Sequence, residues 1–579
     1  MDWSGGVNSY SVTTAQSQFN PNGLGKNCLS WLVNGTVRGG VIEPRAGQQP
    51  LGKLFPTPGL YQGGIMYEPN GAFPYLIFLM DGILYAVPDP DKPVPVDLTG
   101  GNPALRMPAT EPHAYFAQGE QFLVIQAGDG VTLPLFWDGT TLRRSNGLTG
   151  SPRELPAGYA MTYYMERLWY VFGDIRTYTA GDMVGNTASG SAPYGFRDSI
   201  LRVTENPLAI GGDGFSVPSN AGAIRWLGYA ATNNTLLGQG ILLIGTRKQI
   251  YGLQVPVTRT DWIGADANNK PMQYCISLST GPVNDRSVVK VNSDLFFQTL
   301  QPSIQSLAMA VRNDQAWGDT PISINENRIL EFNNRALLSA GSGIYFDNRM
   351  LQTALPVQTP FGIVHQALLP LNFDEISTLG QKLAPVWEGQ YVGLDHFQLF
   401  TADFGGLDRA FSLVLSRVDG SLELWELTNA DTRDNGDNRI VSVIEFPAFT
   451  WNLEFDLKEL LTVELWLDDV RGIVEFTMEY RPDSDPCWYP YHKWKVCSAR
   501  DENETLSSLT PYPTKYGPGY QSTICLPHPP QQCNSFTGRP AYILYQCQLR
   551  LTMHGWARIR GLMLHSTLRQ RELYSRKVC

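Results

Sequence analysis

The sequence lacks the short motifs by which several classes of enzyme and metal-binding protein are recognised. Its 579 residues contain no CxxC pair, no HExxH or GxSxG motif, and no Walker or GxGxxG glycine-rich loop. These motifs place metal ligands, a nucleophile or the backbone amides that hold phosphates. We therefore expect no cofactor and no metal, and we predict that the chain is not an enzyme.

Long apolar runs and a secretion signal are also missing. No stretch approaches the roughly 18 to 20 apolar residues of a membrane helix, and the most apolar segment, Tyr75 to Val87, is interrupted by the turn dipeptide Asp81-Gly82. Residues 1–6 (MDWSGG) lack the basic and then apolar pattern of a signal peptide. We expect a protein without a membrane anchor that folds in the cytosol where it is made.

Positive charge is scarce. The chain has 44 Lys and Arg against 54 Asp and Glu, a net charge of −10, so it lacks the basic excess with which proteins grip nucleic acid. The exception lies between Leu549 and Cys579, where seven basic side chains accompany one acid, Glu572. A solvated strand edge and tail would explain this run. The functional alternative is a docking patch for an acidic partner ring, for which the candidates are Arg550, Arg558, Arg560, Arg569 and Arg571.

Cysteines and histidines are few and do not form a ligand pattern. Buried thiols, or disulfides formed after cell lysis, explain the cysteines; a metal site using His492 and His528 is the alternative. Each histidine is expected to be structural. The eight cysteines are Cys28, Cys275, Cys487, Cys497, Cys525, Cys533, Cys547 and Cys579. The seven histidines are His113, His365, His396, His492, His528, His554 and His565.

Two acidic segments contain residues that could form a site. The oxygen-rich run 431–438 (DTRDNGDN) could bind calcium but lacks EF-hand spacing and a closing Glu, and tight-turn chemistry explains it equally. A glycosidase needs two carboxylates, and the nearest candidates are Trp387-Glu388-Gly389 and Asp395-His396. For Glu388, a turn beside a packed tryptophan is the simpler interpretation.

Glycine, proline and aromatic residues are abundant and predict an all-β protein. There are 56 glycines and 40 prolines, and 11% of residues are aromatic. Glycine and proline interrupt helices and build turns, whereas aromatic and β-branched residues favour strands. Short apolar runs alternate with Gly, Pro, Asn and Asp turns along most of the chain.

These runs recur in a rough unit of paired strands joined by a small turn. Units start about 45 to 65 residues apart, a period typical of propellers or solenoids. We predict a β-propeller of six or seven irregular blades, and a Greek-key array is the alternative. The first apolar run of each unit is 64–67, 114–116, 161–164, 224–227, 288–291, 336–339 and 397–400.

The strand pattern changes near Asn438, where longer alternating runs begin. We predict three parts: an N-terminal arm over 1–48 with strands that join the last domain, a propeller over 49–438, and a β-sandwich-like platform domain over 439–579. A Cys- and Pro-rich insertion, 481–540, interrupts the last domain.

Several segments near the two ends of the chain carry a family resemblance. Near the N-terminus these are Gly5-Gly6, 20–22 (NPN), Asn27-Cys28 and 37–47 (VRGGVIEPRAG). Toward the C-terminus they are 463–466 (VELW), 479–483 (EYRPD) with Trp488, and 549–562 (LRLTMHGWARIRGL). In this order the segments resemble the nozzle proteins of short-tailed bacteriophages, also called tail tubular protein B or packaged-DNA stabilisation hub. Segment 549–562 is similar to the closing strands of that family, and 463–466 and 479–483 with Trp488 resemble strands of phage tail proteins generally. The resemblance covers about a quarter of the chain, and insertion 481–540 departs from the family pattern.

The resemblance implies a structural virion protein, made in the host cytoplasm and located in the tail. Nozzle proteins form a hexameric ring below the portal and adaptor, carry spikes or fibres, and conduct and retain genomic double-stranded DNA. An acidic lumen would repel phosphates over about 8 to 10 Å, so DNA would slide without specific binding. The arginine run would then lie on the platform, and reversing Arg558 and Arg560 to Glu should block adaptor docking.

Two alternatives remain from the sequence. The first is a receptor- or carbohydrate-binding tail propeller, in which aromatic side chains would stack on sugars. The second is a glycan-degrading enzyme, for which activity on host polysaccharide should depend on a single carboxylate.

Overall fold

The computed structural model describes most of the chain as β-strand. The described residues are 3–9, 12–18, 20–149, 154–165, 167–184, 195–196, 214–230, 241–255, 273–301, 303–314, 320–379, 382–428, 433–435, 438–483, 485–497, 522–534 and 538–569. They hold two short α-helices, α1 (Leu307–Asp314) and α2 (Asn327–Leu330), and four 3-10 turns. No helix in these ranges is both long and apolar enough to cross a bilayer. The all-β prediction is confirmed.

The first six strands are shared among three sheets. A small parallel pair comes first, the next three strands join a nine-stranded sheet, and the sixth joins an eight-stranded sheet. They are β1 (Val12–Ala15), β2 (Gly23–Leu24), β3 (Trp31–Val33), β4 (Gly35–Arg38), β5 (Val41–Pro44) and β6 (Gln48–Phe55).

Five separate sheets follow, each built from consecutive antiparallel strands as in the blades of a propeller. Blade 1 is β7 (Tyr61–Tyr67), β8 (Tyr75–Met80), β9 (Ile83–Val87) and β10 (Val96–Asp97). Blade 2 is β11 (Tyr115–Gly119), β12 (Phe122–Gln126), β13 (Leu135–Trp137) and β14 (Leu142–Arg144). Blade 3 is β15 (Met161–Tyr164), β16 (Arg167–Phe172), β17 (Thr177–Val184), β18 (Gly195–Phe196) and β19 (Phe215–Ser216). Blade 4 is β20 (Ile224–Ala230), β21 (Ile241–Thr246), β22 (Ile250–Leu253) and β23 (Gln273–Ser277), and blade 5 is β24 (Val289–Val291), β25 (Asp294–Gln298) and β26 (Ile304–Ser306).

An eight-stranded sheet closes the ring. Its order is β27-β28-β29-β31-β32-β33-β6, with β30 paired to β29. Buried residues from both ends of this sheet, such as Ile344 and Leu427, share one apolar cluster, so the sheet is folded over on itself. The strands are β27 (Gly343–Phe346), β28 (Arg349–Thr359), β29 (Gly362–Leu379), β30 (Lys382–Trp387), β31 (Tyr391–Asp403), β32 (Asp408–Leu415) and β33 (Leu422–Leu427).

The first strands of the blades contact one another in order around the ring. β7 contacts β11, β11 contacts β15, and β15 contacts β20. Lys290 of β24 lies 4.7 Å from the ring centre of Tyr229 in β20, and β24, β27, β31 and β7 complete the circle. The structure thus has five separate blades, and the predicted count of six or seven is not confirmed. The last two predicted units are merged because β29 pairs with β31, while 336–339, expected to be a strand, lies in the 3-10 turn Arg335–Ala340.

The remaining strands form a small hairpin and a nine-stranded sheet. β37 and β41 pair along most of their length, and β3, β4 and β5 join them from the start of the chain. The hairpin is β34 (Arg433–Asp434) and β35 (Asn438–Arg439). The others are β36 (Val441–Glu445), β37 (Lys458–Pro482), β38 (Tyr489–Cys497), β39 (Ser522–Leu526), β40 (Ile543–Leu544) and β41 (Cys547–Leu568).

The nine-stranded sheet bends and encloses its own apolar core. Register shifts interrupt the β37–β41 pairing between Leu460 and Glu475, and such irregularities let long strands bend. Buried residues from both halves of β37, including Val463 and Phe476, belong to one cluster. The Tyr491 hydroxyl of β38 donates to the carbonyl of Pro527, just beyond β39, over 2.8 Å. The strands paired with the two halves of β37 are therefore packed against each other; the platform role remains a prediction.

A buried ion pair joins the two large sheets. The Glu388 side chain is fully buried and that of Arg349 is 5% exposed, with Nε to Oε2 at 3.0 Å. The other carboxylate oxygen of Glu388 accepts from the Thr36 hydroxyl at 2.7 Å, the Val37 amide at 2.9 Å and the Asn372 amide at 2.7 Å. Thr36 and Val37 belong to β4 of the nine-stranded sheet, whereas Arg349 and Asn372 lie in the eight-stranded sheet. We call these five residues the inter-sheet clamp.

Removing one partner of the clamp should destabilise the protein strongly, because the other charge would remain buried without compensation. We expect Glu388→Gln to lower the free energy of unfolding by about 3 to 5 kcal/mol, measured by chemical denaturation. The double variant Arg349→Met/Glu388→Leu should cost less than the two single changes together. The exposed pair Arg176–Asp174 is the control, and Arg176→Ala should cost only about 0 to 1 kcal/mol. Equal, small effects at both pairs would show that the clamp does not hold the sheets together.

Two histidines lie buried side by side in the eight-stranded sheet. His365 is 1% and His396 is 2% exposed, and Nδ1 of His396 lies 2.7 Å from the Ser412 hydroxyl oxygen. Burial lowers the pKa of His365 to about 4. Burial, with a smaller contribution from His365, lowers the pKa of His396 to about 3. Both imidazoles are therefore neutral at pH 7.

Because these pKa values are lower in the folded chain than in the unfolded one, stability should fall as pH falls below about 6.5. The unfolded state binds the proton first, so the loss approaches about 1.4 kcal/mol per pH unit for each histidine between pH 6.5 and about 4. Denaturant titrations at pH 7, 6 and 5 should show this slope. It should be shallower in His365→Gln and unchanged in the exposed control His554→Gln. An identical slope in all three proteins would contradict the assignment.

Candidate functional site

The starts of several ring strands meet at one face of the propeller. Arg286, just before β24, donates to the carbonyls of Gln62 in β7 (2.6 Å) and Ala114 before β11 (2.8 Å). The Arg286 carbonyl accepts from the amide of Gly343, where β27 begins. We call this side of the ring the upper face. Gly63 is required here, because a Cβ at its position would lie 2.0 Å from the Arg286 guanidinium, and its φ is +142°.

A histidine–carboxylate pair lies beside Arg286. His113 Nε2 is 2.8 Å from Asp285 Oδ1, and both side chains are about one-fifth exposed. Burial acts to raise the pKa of Asp285, but His113 and Arg286 outweigh it and hold the pKa below its usual range. Burial, followed by Arg286, lowers the pKa of His113. Asp285 is therefore an anion whose charge is offset by the adjacent Arg286.

Two further arginines extend this group toward blade 4. Arg225 is the second residue of β20 and is hydrogen-bonded to the buried Tyr115 phenol of β11, while Arg247 occupies the β21–β22 turn. Burial, followed by repulsion from Arg225, lowers the pKa of Arg247. The buried Arg225 Nε has no hydrogen-bond partner among the described residues. Three guanidinium groups thus share this region with one carboxylate.

A cavity of about 380 Å³ opens next to Arg247, between blades 4 and 5. We call it the upper-face cavity. The antiparallel register places it on this face, since Thr246 at the end of β21 lies beside the start of β20. Its charged lining residues are Arg247, Lys248, Arg335 and Glu331. Its other lining residues are Ser279, Thr280, Thr299, Leu300, Gln301, Ser303, Gln305, Pro321 and Asn327.

The cations of this cavity have no acidic partner within the part of the chain that the structure describes. In the described part of the chain, the side chains of Arg247, Lys248 and Arg335 form no ion pair or hydrogen bond. Glu331 is the single acid among the described lining residues. Clustered like charges favour an anion between them, and guanidinium groups bind carboxylate and phosphate oxygens especially well. The arrangement is therefore suited to an oxyanion.

Sequence reasoning did not identify these residues. Arg225, Arg247 and Arg286 are distant in sequence and match no motif. One usable signal was present, since Arg225 occupies the start of a predicted unit, where propeller strands converge. Their proximity depends on ring closure, which local patterns do not report.

The predicted docking arginines are found mainly on the outer face of β41, and most are paired. Arg550 contacts Glu479 at 2.7 Å, Arg558 contacts Glu43 at 3.1 Å, and Arg569 is ion-paired with Glu459. Arg560 is exposed and lies 5.3 Å from the Trp466 ring centre, without an ion-pair partner in the described ranges. Arg571 lies outside the described residues. The local positive charge is thus smaller than the sequence suggests, and the docking role stays a prediction.

The other candidate sites have structural partners. Glu388 belongs to the inter-sheet clamp and His396 to the buried histidine pair. Asp434, in the proposed calcium segment, forms a two-pronged ion pair at 2.8 Å with the buried Arg45; residues 431–432 and 436–437 of that segment lie outside the described ranges. The seven described cysteines are free thiols, and Cys579 is not among them. Within the described residues no group of three or more His, Cys, Asp or Glu side chains is placed to hold a metal.

Comparison with known proteins yields structural matches only. No protein-family model and no curated protein matches the chain. YCF48 bound to a D1 peptide matches with a TM-score of 0.32 at 10% identity, over 65% of this chain and 94% of that one. A Trypanosoma rangeli sialidase mutant with trans-sialidase activity matches with a TM-score of 0.29 at 8% identity, over 90% and 96% of the two chains. A glycoside hydrolase matches with a TM-score of 0.22 at 10% identity, over 89% and 100%.

These matches correct one prediction from the sequence. The prediction that the chain is not an enzyme is wrong, because the structures that match it include a sialidase and a glycoside hydrolase. Missing motifs could not exclude this class, since glycosidases need only two carboxylates brought together by the fold. At these identities and TM-scores, no activity of the matched proteins is transferred to this chain.

Proposed function

We propose that the chain is a structural subunit of the tail nozzle of a short-tailed bacteriophage. It would form a hexameric ring below the portal and adaptor, carry spikes or fibres, and conduct genomic DNA. The observation that carries the proposal is the meeting of the two chain ends that resemble this family.

Segments 37–47 and 549–562, which both resemble the nozzle family, lie about five hundred residues apart in the sequence but belong to one sheet. Ile42 of β5 is the register partner of Ile559 in β41, and Glu43 and Arg558 form an ion pair at 3.1 Å. Chance similarities at the two ends would not be expected to pack together. Their contact supports a common origin for both segments in one platform-like unit.

The alternation along β41 supports a docking role for its outer face. Leu549, Leu551 and Met553 are buried, whereas Arg550, His554 and Arg560 point outward to differing degrees. This period of two is that of a strand with one buried face. Arg550 on this face is paired with Glu479, whereas Arg560 presents to a partner ring a cation that no described acid neutralises.

The net charge of −10 supports passage of DNA rather than its capture. A hexamer multiplies this charge sixfold, and acidic walls repel phosphates over about 8 to 10 Å at physiological salt. A receptor- or carbohydrate-binding propeller is the second candidate, and the unpaired cations of the upper-face cavity favour it specifically.

We expect Arg560→Glu to weaken binding of the adaptor protein by at least about tenfold, because it places an acid opposite an acidic partner. Biolayer interferometry would measure the affinity, and negative-stain microscopy of portal–adaptor complexes would show whether a six-fold ring still assembles. Circular dichroism and the melting temperature should not change.

Arg558→Glu is the informative contrast. It would place a carboxylate beside Glu43 and Asp468, so it should lower the melting temperature, and any loss of docking would follow from misfolding. Unchanged docking in an Arg560→Glu/Arg569→Glu variant would contradict the docking role, and absence of a ring on portal–adaptor complexes would contradict the nozzle.

A further inference from the structure

We propose that the upper-face cavity binds an acidic sugar, one whose carboxylate or phosphate is held by Arg247, Lys248 and Arg335. This inference is independent of the nozzle proposal, because the cavity lies between blades 4 and 5 of the propeller and uses none of the arginines of β41.

The charge of the cavity selects an anion. Three cations and one acid line it, and the cations have no ion-pair partner in the described part of the chain. Burial, followed by repulsion from the nearby Arg225, lowers the pKa of Arg247. A bound oxyanion would relieve this repulsion through charge-assisted hydrogen bonds.

The uncharged lining selects a ligand rich in hydroxyl groups. Four hydroxyl side chains, from Ser279, Thr280, Thr299 and Ser303, lie in the cavity wall, and Gln301 and Asn327 add amides. The hydroxyls of Thr299 and Ser303 are hydrogen-bonded to each other at 2.8 Å. Hydroxyls and amides both donate and accept hydrogen bonds, which suits the hydroxyls of a sugar. The volume of about 380 Å³ lies in the usual range for small-ligand sites.

Nucleic acid fits this site less well. Among the described residues, no aromatic side chain lines the cavity on which a base could stack, and base–aromatic stacking is a main source of affinity in single-strand binding. The net charge of −10 also opposes a polyanionic duplex. The observations therefore favour a single acidic sugar unit or the end of an acidic glycan.

The test is titration of the full chain with short galacturonate oligosaccharides, a sugar phosphate, neutral galactose oligosaccharides and a duplex DNA oligonucleotide, followed by calorimetry. We expect saturable binding of galacturonate or of the sugar phosphate, which identifies the source of the oxyanion, and little binding of the neutral sugar. Arg247→Ala/Lys248→Ala should weaken this binding by about tenfold to a hundredfold, the loss expected for charge-assisted hydrogen bonds.

Arg328→Ala is the matched control, because Arg328 is exposed and lies next to Asn327 but does not line the cavity. It should bind like the parent chain, and Arg247→Lys should retain part of the affinity. Equal binding of neutral and acidic sugars, equal affinity in the double variant, or binding of DNA alone would overturn the proposal. None of these outcomes would alter adaptor docking by Arg560, so the two proposals fail separately.

Discussion

The buried contact between Arg349 and Glu388 is the interaction on which the architecture depends most. It lies where the eight-stranded sheet meets the β4 strand of the nine-stranded sheet, and one carboxylate oxygen satisfies donors from both. A fully buried carboxylate is tolerated only when it is paired and hydrogen-bonded. The two sheets must therefore keep one relative position, which couples the propeller ring rigidly to the unit formed by the chain ends.

The basic side chains of the nine-stranded sheet and those of the upper face of the propeller differ in whether acidic side chains face them. On the nine-stranded sheet most described arginines of β41 face acids, such as Arg550 opposite Glu479 and Arg558 opposite Glu43. On the upper face of the propeller, Arg247, Lys248 and Arg335 line a cavity and form no ion pair with any described residue. Uncompensated cations beside a cavity indicate ligand binding more directly than a run of arginines in the sequence does.

The blades show which structural features can be predicted from local sequence patterns and which cannot. The Asp81-Gly82 turn within the apolar segment Tyr75 to Val87 predicts a strand, a turn and a strand, and β8 and β9 follow that pattern. The same reasoning predicts separate units beginning at 336–339 and 397–400. There the hydrogen bonds between β29 and β31 join two strand groups into one sheet, a pairing that alternation within each strand does not specify.

The sequence by itself determined the all-β class, the turns, and the inward and outward faces of strands such as β41, because these depend on neighbouring residues and a period of two. Only the tertiary structure decided that Glu388 is a clamp rather than a catalytic acid, that Asp434 binds Arg45, and that Arg225, Arg247 and Arg286 converge. These outcomes depend on contacts between residues far apart in the chain. Such contacts form only when the ring closes and the two ends join one sheet.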